Sequence, residues 1–473
     1  MNPDEISQIL SNHCSLVIAP AGHGKTEMIS EFTKHVEGTQ LILTHTNAGV
    51  EALIKRMRKN NIPSSKYRVF TIAGFCLLWC KSFPRTSAID QNLDPLRKED
   101  TKQYYAQLYK GAELIFQHLW ALDVIRRSFS GLIVDEYQDC LVEQHKVFLA
   151  LSKVLPVRAF GDPMQAIFGW AGELVDLYNL KFPQVKVITE PWRWSSTNPE
   201  LGQWISEKRL ILEKALLGSP QYIDFYDKQN FLKVICPKDF PRYPILNELE
   251  AYSDVAFITS YENKQLAFAK SMGGIFQHDE KQDSEVLFNF AESFSTLKGK
   301  GLCEKLMDFL QCCASHVGRE FKSYINRIKS DNFNFERILK HVDFKNILLG
   351  LRDTGDYKYI SQAIDYVLKH NEFNVYRKEL FFELKRAISY SDEKKINLSE
   401  SVAIIRRGVG VQKKNSTFKR LSTRTVLAKG LEFDCVIIDM SQNLDIRNFY
   451  VAISRAKRFI YILSDTRRVY FHK

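Results

Sequence analysis

The sequence has no long hydrophobic run, and this absence excludes a broad class of proteins. No stretch approaches the roughly 20 apolar residues that a membrane-spanning helix needs. The N-terminus, Met-Asn-Pro-Asp-Glu, lacks the basic start and apolar centre of a secretory signal peptide. The nine cysteines show neither the CxxC spacing of a zinc site nor a disulfide framework. We therefore expect a soluble, cytoplasmic protein without a membrane partner.

The composition is that of a globular protein with several domains. The chain has 473 residues, of which 45% are hydrophobic and 26% are charged. One domain per ~150 residues suggests about three structural units. Lysine and arginine number 66 against 55 acidic residues, which gives a formal net charge of +11. Such a basic excess permits a polyanionic partner but does not by itself require one.

Short β-rich runs alternate with helical stretches over the first 200 residues and again near the C-terminus. This alternation predicts α/β domains with parallel sheets and helices on both faces. Residues 281–400 have helical periodicity and few glycines or prolines. We predict a first domain over 1–200 with a helical insert at about 86–125, a second over 201–280 and 401–473, and a helical insertion subdomain over 281–400.

A glycine-containing loop is predicted between the first strand and a helix. Residues 19–26 read APAGHGKT and follow the apolar run Leu16–Ile18. Glycines let successive backbone N–H groups converge on phosphate oxygens, and the helix N-terminus adds partial positive charge. Phosphate loops usually have glycine at the position of Ala19, and a glycine-rich turn without a ligand is the alternative interpretation. The predicted nucleotide-binding residues are Ala21, Gly22, His23, Gly24, Lys25 and Thr26.

Two carboxylates follow another apolar run, in residues 132–136, LIVDE. In a phosphate loop, Lys25 would reach the β and γ phosphates and the Thr26 hydroxyl would bind Mg²⁺. Asp135 would hold the same Mg²⁺, and Glu136 would polarise the attacking water. An Asp-Glu pair after a strand is often only a solvated turn. Together with the loop, however, this pair predicts Mg²⁺-dependent nucleotide hydrolysis.

Several segments resemble the motifs of the UvrD/Rep/PcrA group of superfamily 1 DNA helicases. Residues 135–139, DEYQD, are similar to the DExQD signature of that group. The other similar segments occur in the family's order: 44–47 (THTN), 161–170 (GDPMQAIFGW), 192–195 (WRWS), 428–434 (AKGLEFD) and 450–457 (YVAISRAK).

The resemblance implies two RecA-like P-loop domains that bind ATP and Mg²⁺. It places Gln165 near the γ-phosphate or the attacking water, and it implies γ-phosphate contacts from Arg193 and Arg455, with Arg455 coming from the second domain. A guanidinium suits the charge that develops on a transferring phosphoryl group. For the remainder of the nucleotide, the resemblance implies adenine stacking by Trp192, a ribose contact by Glu432 and an adenine contact by Gln8.

The resemblance also implies a DNA site, single-stranded or at free ends. Trp170 would stack on a base, although an ordinary core tryptophan is the alternative. Three positions depart from the family pattern on this side: His45, Ala73 and Val426. Because these departures lie on the nucleic-acid side, the motifs for nucleotide hydrolysis are complete, whereas those for processive translocation are not. The predicted nucleic-acid-binding residues are Thr46, Asn47, Thr71, Phe168 and Trp170.

Three functional hypotheses remain open at this point. The first is an ATP-dependent DNA translocase or helicase. The second is a DNA-sensing regulatory ATPase that activates a partner nuclease, as the resemblance to small UvrD-like proteins of anti-phage systems suggests. Among these, the helicase-like subunit of Gabija, which is paired with an OLD-type nuclease, is similar in size. The third is a nucleotide hydrolase that acts on RNA or on protein conformation.

Overall fold

The chain folds into two compact units. The structure is a computed structural model that describes residues 3–90, 92–93, 98–169, 172–185, 187, 190–225, 229–240, 243–279, 285–411, 419–441 and 444–472. The first unit contains Met1–Phe225, Asp445–Arg458 and Arg467–Lys473, and the second contains Tyr226–Leu444 and Phe459–Thr466. Within the described residues, no helix has the length and apolar character needed to cross a bilayer.

A six-stranded parallel sheet forms the centre of the first unit, in the order β3-β2-β4-β5-β1-β6. Its strands are β1 (Cys14–Ile18), β2 (Gln40–Thr44), β3 (Tyr67–Thr71), β4 (Gly131–Val134), β5 (Val157–Gly161) and β6 (Gln184–Val185). Alternate side chains of β2 enter two cores, with Leu41 and Leu43 on one face and Ile42 on the other. Because both faces are covered, the central strands are apolar along their length.

In the described residues, ten helices precede the short strand β7 (Gln221–Asp224). The helical insert that was expected at about 86–125 includes the helix Lys98–Ile115 and parts of the helices Pro84–Ser87 and Leu119–Ser128. The helices are α1 (Pro3–Leu10), α2 (Lys25–His35), α3 (Asn47–Lys59), α4 (Ile72–Ser82), α5 (Pro84–Ser87), α6 (Lys98–Ile115), α7 (Leu119–Ser128), α8 (Val142–Leu151), α9 (Trp192–Ser195) and α10 (Pro199–Leu216).

Another six-stranded parallel sheet, in the order β10-β13-β9-β14-β15-β8, lies in the second unit except for the first three residues of β15. A separate two-stranded antiparallel ribbon joins β11 to β12. These strands are β8 (Leu232–Ile235), β9 (Val255–Thr259), β10 (Gln277–His278), β11 (Ala314–Ser315), β12 (Asn374–Val375), β13 (Arg420–Arg424), β14 (Phe433–Asp439) and β15 (Ala456–Leu463).

Helices dominate the sequence between β10 and β13, in and around the expected insertion at 281–400. They share one apolar core, to which α18 contributes Ile360, Ala363, Ile364 and Val367. The helices of the second unit are α11 (Tyr243–Leu249), α12 (Glu262–Ser271), α13 (Glu285–Thr296), α14 (Gly299–Cys313), α15 (Val317–Glu320), α16 (Lys322–Lys329), α17 (Phe344–Thr354), α18 (Lys358–Lys369), α19 (Lys378–Lys394), α20 (Leu398–Val411) and α21 (Thr425–Ala428).

The C-terminal part of the chain returns to the first unit through α22 (Ile446–Ile453) and β16 (Arg468–Phe471). β16 pairs antiparallel with β7. The predicted boundary at residue 200 therefore falls inside the first compact unit, and Asp445–Arg458 lies in the first unit although it was expected in the second. The predicted fold class, two RecA-like α/β domains with helical insertions, is confirmed by the two parallel sheets.

Candidate nucleotide-binding site

The loop between β1 and α2 has the backbone conformation that a phosphate loop requires. Gly22 and Gly24 have φ angles of +75° and +79°, and this left-handed region is open to glycine at little steric cost. Ala19, where phosphate loops usually have glycine, is fully buried, and its N–H donates to Gly161 O at 3.0 Å. The alanine therefore fills a packed position beside β5 without disturbing the glycines that follow it.

Lys25 begins α2 and forms an ion pair with the two predicted carboxylates. Its Nζ lies 2.7 Å from Glu136 Oε2 and 3.9 Å from Asp135 Oδ1. Burial pushes the pKa of Lys25 down, but the nearby Glu136 and Asp135 outweigh burial, so the pKa is raised. Lys25 is therefore charged, and the structure brings the predicted phosphate-binding cation and the two predicted acids together.

Glu136 is held in an unusual backbone conformation directly after β4. Its φ is +55°, which is uncommon for a residue with a side chain and is typically retained at functional sites. Its N–H donates to Asp135 Oδ1 at 2.9 Å, and Gln138 Nε2 donates to Glu136 Oε2. Gln138 Oε1 in turn accepts from Asp162 N at 2.9 Å. Gln138, a residue of the 135–139 segment with no predicted role, thus links the ends of β4 and β5.

Gln165 follows β5 in a single 3₁₀ turn, Pro163–Gln165. Its Nε2 donates to Asp162 Oδ2 at 3.0 Å, and its Oε1 accepts from Arg455 Nη2 at 3.3 Å. Arg455 is 2% exposed and belongs to the first compact unit. The Arg455 guanidinium was expected from the second domain. It contacts Gln165 within the first unit instead, because α22, which it follows, packs there.

The segment around α9 joins the phosphate loop to the end of α22. Arg193 N–H donates to Gly22 O at 3.1 Å, and the Arg193 guanidinium donates through Nη1 to Ser454 O. Trp194 is fully buried, and its Nε1 donates to Ala456 O at 2.6 Å. Trp192 is 60% exposed, as an adenine-stacking side chain needs to be. Its ring edge lies 3.4 Å from where a Cβ on Gly24 would stand.

Tyr450 is a site residue to which the sequence analysis assigned no role. It lies on α22 with 1% of its surface exposed, and its hydroxyl oxygen accepts from Ala21 N at 3.1 Å. Burial raises the pKa of Tyr450, and the neighbouring Asp162 raises it further. The phenol is therefore neutral and supports the loop backbone. The signal was present, since Tyr450 begins the 450–457 segment.

The remaining predicted nucleotide contacts lie on separate elements. Gln8 is exposed on α1, where its backbone carbonyl accepts from Ser11 Oγ at 2.8 Å. Glu432 is exposed in the second unit, immediately before β14. The placement of these two residues leaves their adenine and ribose roles as predictions.

The predicted nucleic-acid contacts include two helix caps. Thr46 Oγ1 accepts from Gly49 N at 3.0 Å at the start of α3, and Thr71 Oγ1 accepts from Gly74 N at 2.9 Å at the start of α4. The preceding strands β2 and β3 are parallel, with Thr44 opposite Thr71, so both helices begin at the same edge of the sheet. Asn47 is exposed and Phe168 is partly buried, whereas Trp170 lies outside the described residues.

The oxygen atoms near Lys25 suit a hard divalent cation. Thr26 follows Lys25 on α2, and Asp135 presents a carboxylate from the end of β4. In the described part of the chain, no cluster of three or more His, Cys, Asp or Glu residues could hold a metal ion by itself. Mg²⁺ characteristically takes only one or two protein ligands and completes its shell with water and phosphate oxygens. Thr26 and Asp135 therefore fit the predicted role.

Comparisons with known proteins agree with the motif pattern. A family model described as an AAA domain matches residues 4–170. The chain is 22% identical over 414 residues to Gabija protein GajB of Bacillus cereus (strain VD045), covering 81% of this chain and 74% of that protein. These matches bear out the predicted resemblance to UvrD-like helicases.

Two solved viral structures are also similar to the chain. One is a complex of arterivirus nonstructural protein 10, a helicase, with DNA, at 9% identity and a TM-score of 0.36. The other is the PRRSV helicase, at 12% identity and a TM-score of 0.36. They align with 98% and 97% of this chain, but the chain spans less than two thirds of each structure, 63% and 54%.

Proposed function

We propose that this chain is a UvrD-like helicase, a DNA-dependent ATPase that moves along DNA. The observation that carries the proposal is the ion pair of Lys25 with Glu136, at 2.7 Å, beside a loop whose two glycines have left-handed backbones. Removing a lysine and two carboxylates from water costs free energy, which the attraction between their charges offsets only in part. Phosphate groups that enter the loop would pair with Lys25 in place of Glu136, and the Glu136 carboxylate would then be free to act on water.

Each residue of the site has a role in this reaction. The loop N–H groups and Lys25 bind the phosphates, and Glu136 accepts a proton from the attacking water. Gln165 orients that water, while Arg455 and Arg193 offset the charge that develops on the transferring phosphoryl group. Thr26 and Asp135 would hold Mg²⁺, which, when bound, neutralises phosphate charge.

Two features support DNA as the polymer that stimulates hydrolysis. The N-termini of α3 and α4 lie at the same edge of the sheet, and the partial positive charge of a helix N-terminus favours phosphate groups. The formal net charge of +11 also favours a polyanion. Arg193 contacts the phosphate loop and Arg455 contacts Gln165. A shift of α22 caused by the binding of a DNA strand would therefore change the surroundings of the γ-phosphate.

A paired substitution tests the proposal. Lys25→Ala removes the phosphate-binding cation and should lower ATP turnover by about a thousandfold, since an electrostatic contact to the transition state is lost. Lys34→Ala, an exposed lysine at the other end of α2, should match the wild type. Turnover is measured with and without single-stranded DNA and a 3′-overhang duplex. A wild-type protein with no turnover, or with turnover that no DNA stimulates, would contradict the proposal.

The similarity to Gabija protein GajB favours a second candidate. In this candidate, the chain senses DNA ends as a regulatory ATPase and licenses a partner nuclease of the OLD type in an anti-phage complex. The test is affinity purification from the native host, followed by a nuclease assay with ATP. Recovery of a nuclease whose cutting depends on Lys25 would favour this candidate, whereas full unwinding by the isolated chain would favour the translocase. Stimulation by RNA in preference to DNA would contradict both.

A further inference from the structure

Asp162, at the end of β5, is a fully buried carboxylate at the centre of a polar network in the first unit. Its Oδ1 accepts from Met164 N at 3.2 Å and from Arg209 Nη2 at 3.1 Å. Its Oδ2 accepts from Gln165 Nε2 at 3.0 Å. A buried carboxylate is stable only when it is paired and hydrogen-bonded, and Arg209 is the cation that pairs with Asp162 here.

This network sets the direction of the Gln165 amide. Because the amide Nε2 donates to Asp162, its Oε1 is turned toward Arg455 Nη2, 3.3 Å away. The opposite orientation would place an N–H group against the Arg455 guanidinium and an oxygen against the Asp162 carboxylate. Both contacts would be repulsive, so the hydrogen bonds of Gln165 with Asp162 and Arg455 select one of the two amide orientations.

Arg209 lies on α10 and is 8% exposed. Its Nη1 donates to Glu213 Oε2 at 3.0 Å, one helical turn further along. Burial opposes the charge, but the Asp162 and Glu213 carboxylates outweigh burial and raise the pKa of Arg209. Its Nε has no hydrogen-bond partner among the described residues. A purely structural cation would be expected to satisfy all its donors, since each buried donor without a partner is costly.

We propose that Arg209 is a positioning residue of the ATPase site, acting through Asp162 to aim the Gln165 amide at Arg455. This inference rests on the proposed ATP hydrolysis and adds to it a residue outside every motif segment. Without Arg209, the Asp162 carboxylate is buried without its cation. The carboxylate then turns away from its present position, and Gln165 loses the acceptor that fixes its orientation.

Steady-state kinetics of Arg209→Met test this role in the full-length protein with single-stranded DNA. The kcat should fall by about a hundredfold, the effect of misplacing a catalytic group by a small distance. The KM for ATP should stay within about twofold, because Lys25 and the loop still bind the phosphates. Arg209→Lys keeps the positive charge but lacks the planar guanidinium, so its kcat should be roughly tenfold higher than that of Arg209→Met.

Arg158→Met is the matched control for a lost buried arginine. Arg158 lies on β5 in the same unit, is 4% exposed, and donates through Nη1 to His13 O and Val157 O. Both acceptors are backbone carbonyl oxygens, so these hydrogen bonds involve no side chain of the proposed site. Arg158→Met should therefore lower the midpoint of thermal unfolding while keeping kcat within about twofold of the wild type, since no catalytic group moves.

A double-mutant cycle separates positioning from general stability. In a Gln165→Ala background, Arg209→Met should change kcat by less than about threefold, because both substitutions act through the same amide. A wild-type kcat in Arg209→Met, or an additive loss in the double variant, would overturn the inference and leave the proposed function standing. If Arg209→Met does not fold, Arg209→Lys with a wild-type kcat would overturn it equally. Absence of turnover in the wild type would instead overturn the proposed function.

Discussion

His23 lies inside the phosphate loop with 7% of its surface exposed, and its Nδ1 donates to Ala21 O at 2.9 Å. Burial lowers the pKa of His23 and outweighs the hydrogen bond to Ala21 O and the Asp162 carboxylate, which raise it, while Arg209 and Arg193 add small contributions in the same direction as burial. A neutral imidazole therefore belongs to the folded state. At the residue scale, this neutrality keeps a further positive charge away from the Arg209–Arg193 side of the loop.

The lowered pKa has a consequence for stability with a definite sign. The unfolded histidine titrates near 6.5, so below that pH the unfolded state binds a proton that folded His23 resists. The stabilisation from His23 is complete above about pH 6.5 and is lost as the pH falls through and below this value. The thermal midpoint of His23→Asn should therefore decline less than that of the wild type between pH 7.5 and 5.5.

The control for this variant is His472→Asn, which replaces an exposed histidine directly after β16. Its midpoint should decline with pH as steeply as that of the wild type. An identical decline in His23→Asn and the wild type would show that the buried imidazole does not contribute to the loss of stability at acidic pH.

At the element scale, the phosphate loop depends on the short helix α9 packed against it. A Cβ on Gly22 would stand 2.5 Å from Trp194 Cζ3, so the indole occupies the space that any side chain would need. Trp194 also donates to Ala456 O. The loop, α9 and the residues after α22 therefore form one packed assembly, and the loop glycine is required by packing as well as by its backbone angle.

Gly22→Ala and Gly218→Ala separate these two requirements. Both glycines have positive φ, at +75° and +101°, but no atom lies within 4 Å of a Cβ on Gly218. Each substitution should cost about 1–2 kcal/mol for its backbone conformation, and Gly22→Ala should cost a further ~1–3 kcal/mol for the overlap with Trp194. Urea unfolding measures the difference, and equal losses in the two variants would contradict the packing argument.

At the scale of the whole molecule, the formal net charge of +11 predicts a strong effect of salt on DNA binding. Each phosphate that the protein neutralises releases counterions, with a slope of about −0.7 per contact for single strands. We expect the affinity for single-stranded DNA, from the concentration that half-stimulates ATP hydrolysis, to fall about tenfold or more between 50 and 200 mM NaCl, corresponding to about three contacts.

Hydrolysis without DNA is the internal control for the salt experiment. The Lys25–Glu136 pair is mostly buried, with side-chain exposures of 11% and 30%, so screening by salt should change basal turnover by less than about twofold. A half-stimulating DNA concentration that does not vary with salt would show that the basic excess is spread over surfaces that do not meet DNA.

The sequence by itself determined the repeating strand–helix order, the loop at residues 19–26 and the carboxylates at the end of β4. These features are local, because the periodicity of a strand and the glycines of a loop act over a few residues. β5 has no continuous apolar run of this kind, since Arg158 interrupts it. That arginine is buried because its guanidinium reaches His13 O, a partner 145 residues away.

Only the tertiary structure decided which distant residues complete the site. Ala21 and Tyr450 are 429 residues apart in the chain, and Gln165 and Arg455 are 290 apart, yet each pair is hydrogen-bonded within the first unit. Arg209 belongs to no recognisable motif segment and becomes meaningful only beside Asp162. Such contacts depend on how α10 and α22 pack onto the first sheet. That packing is governed by burial and shape over the whole unit, which no local pattern of residues encodes.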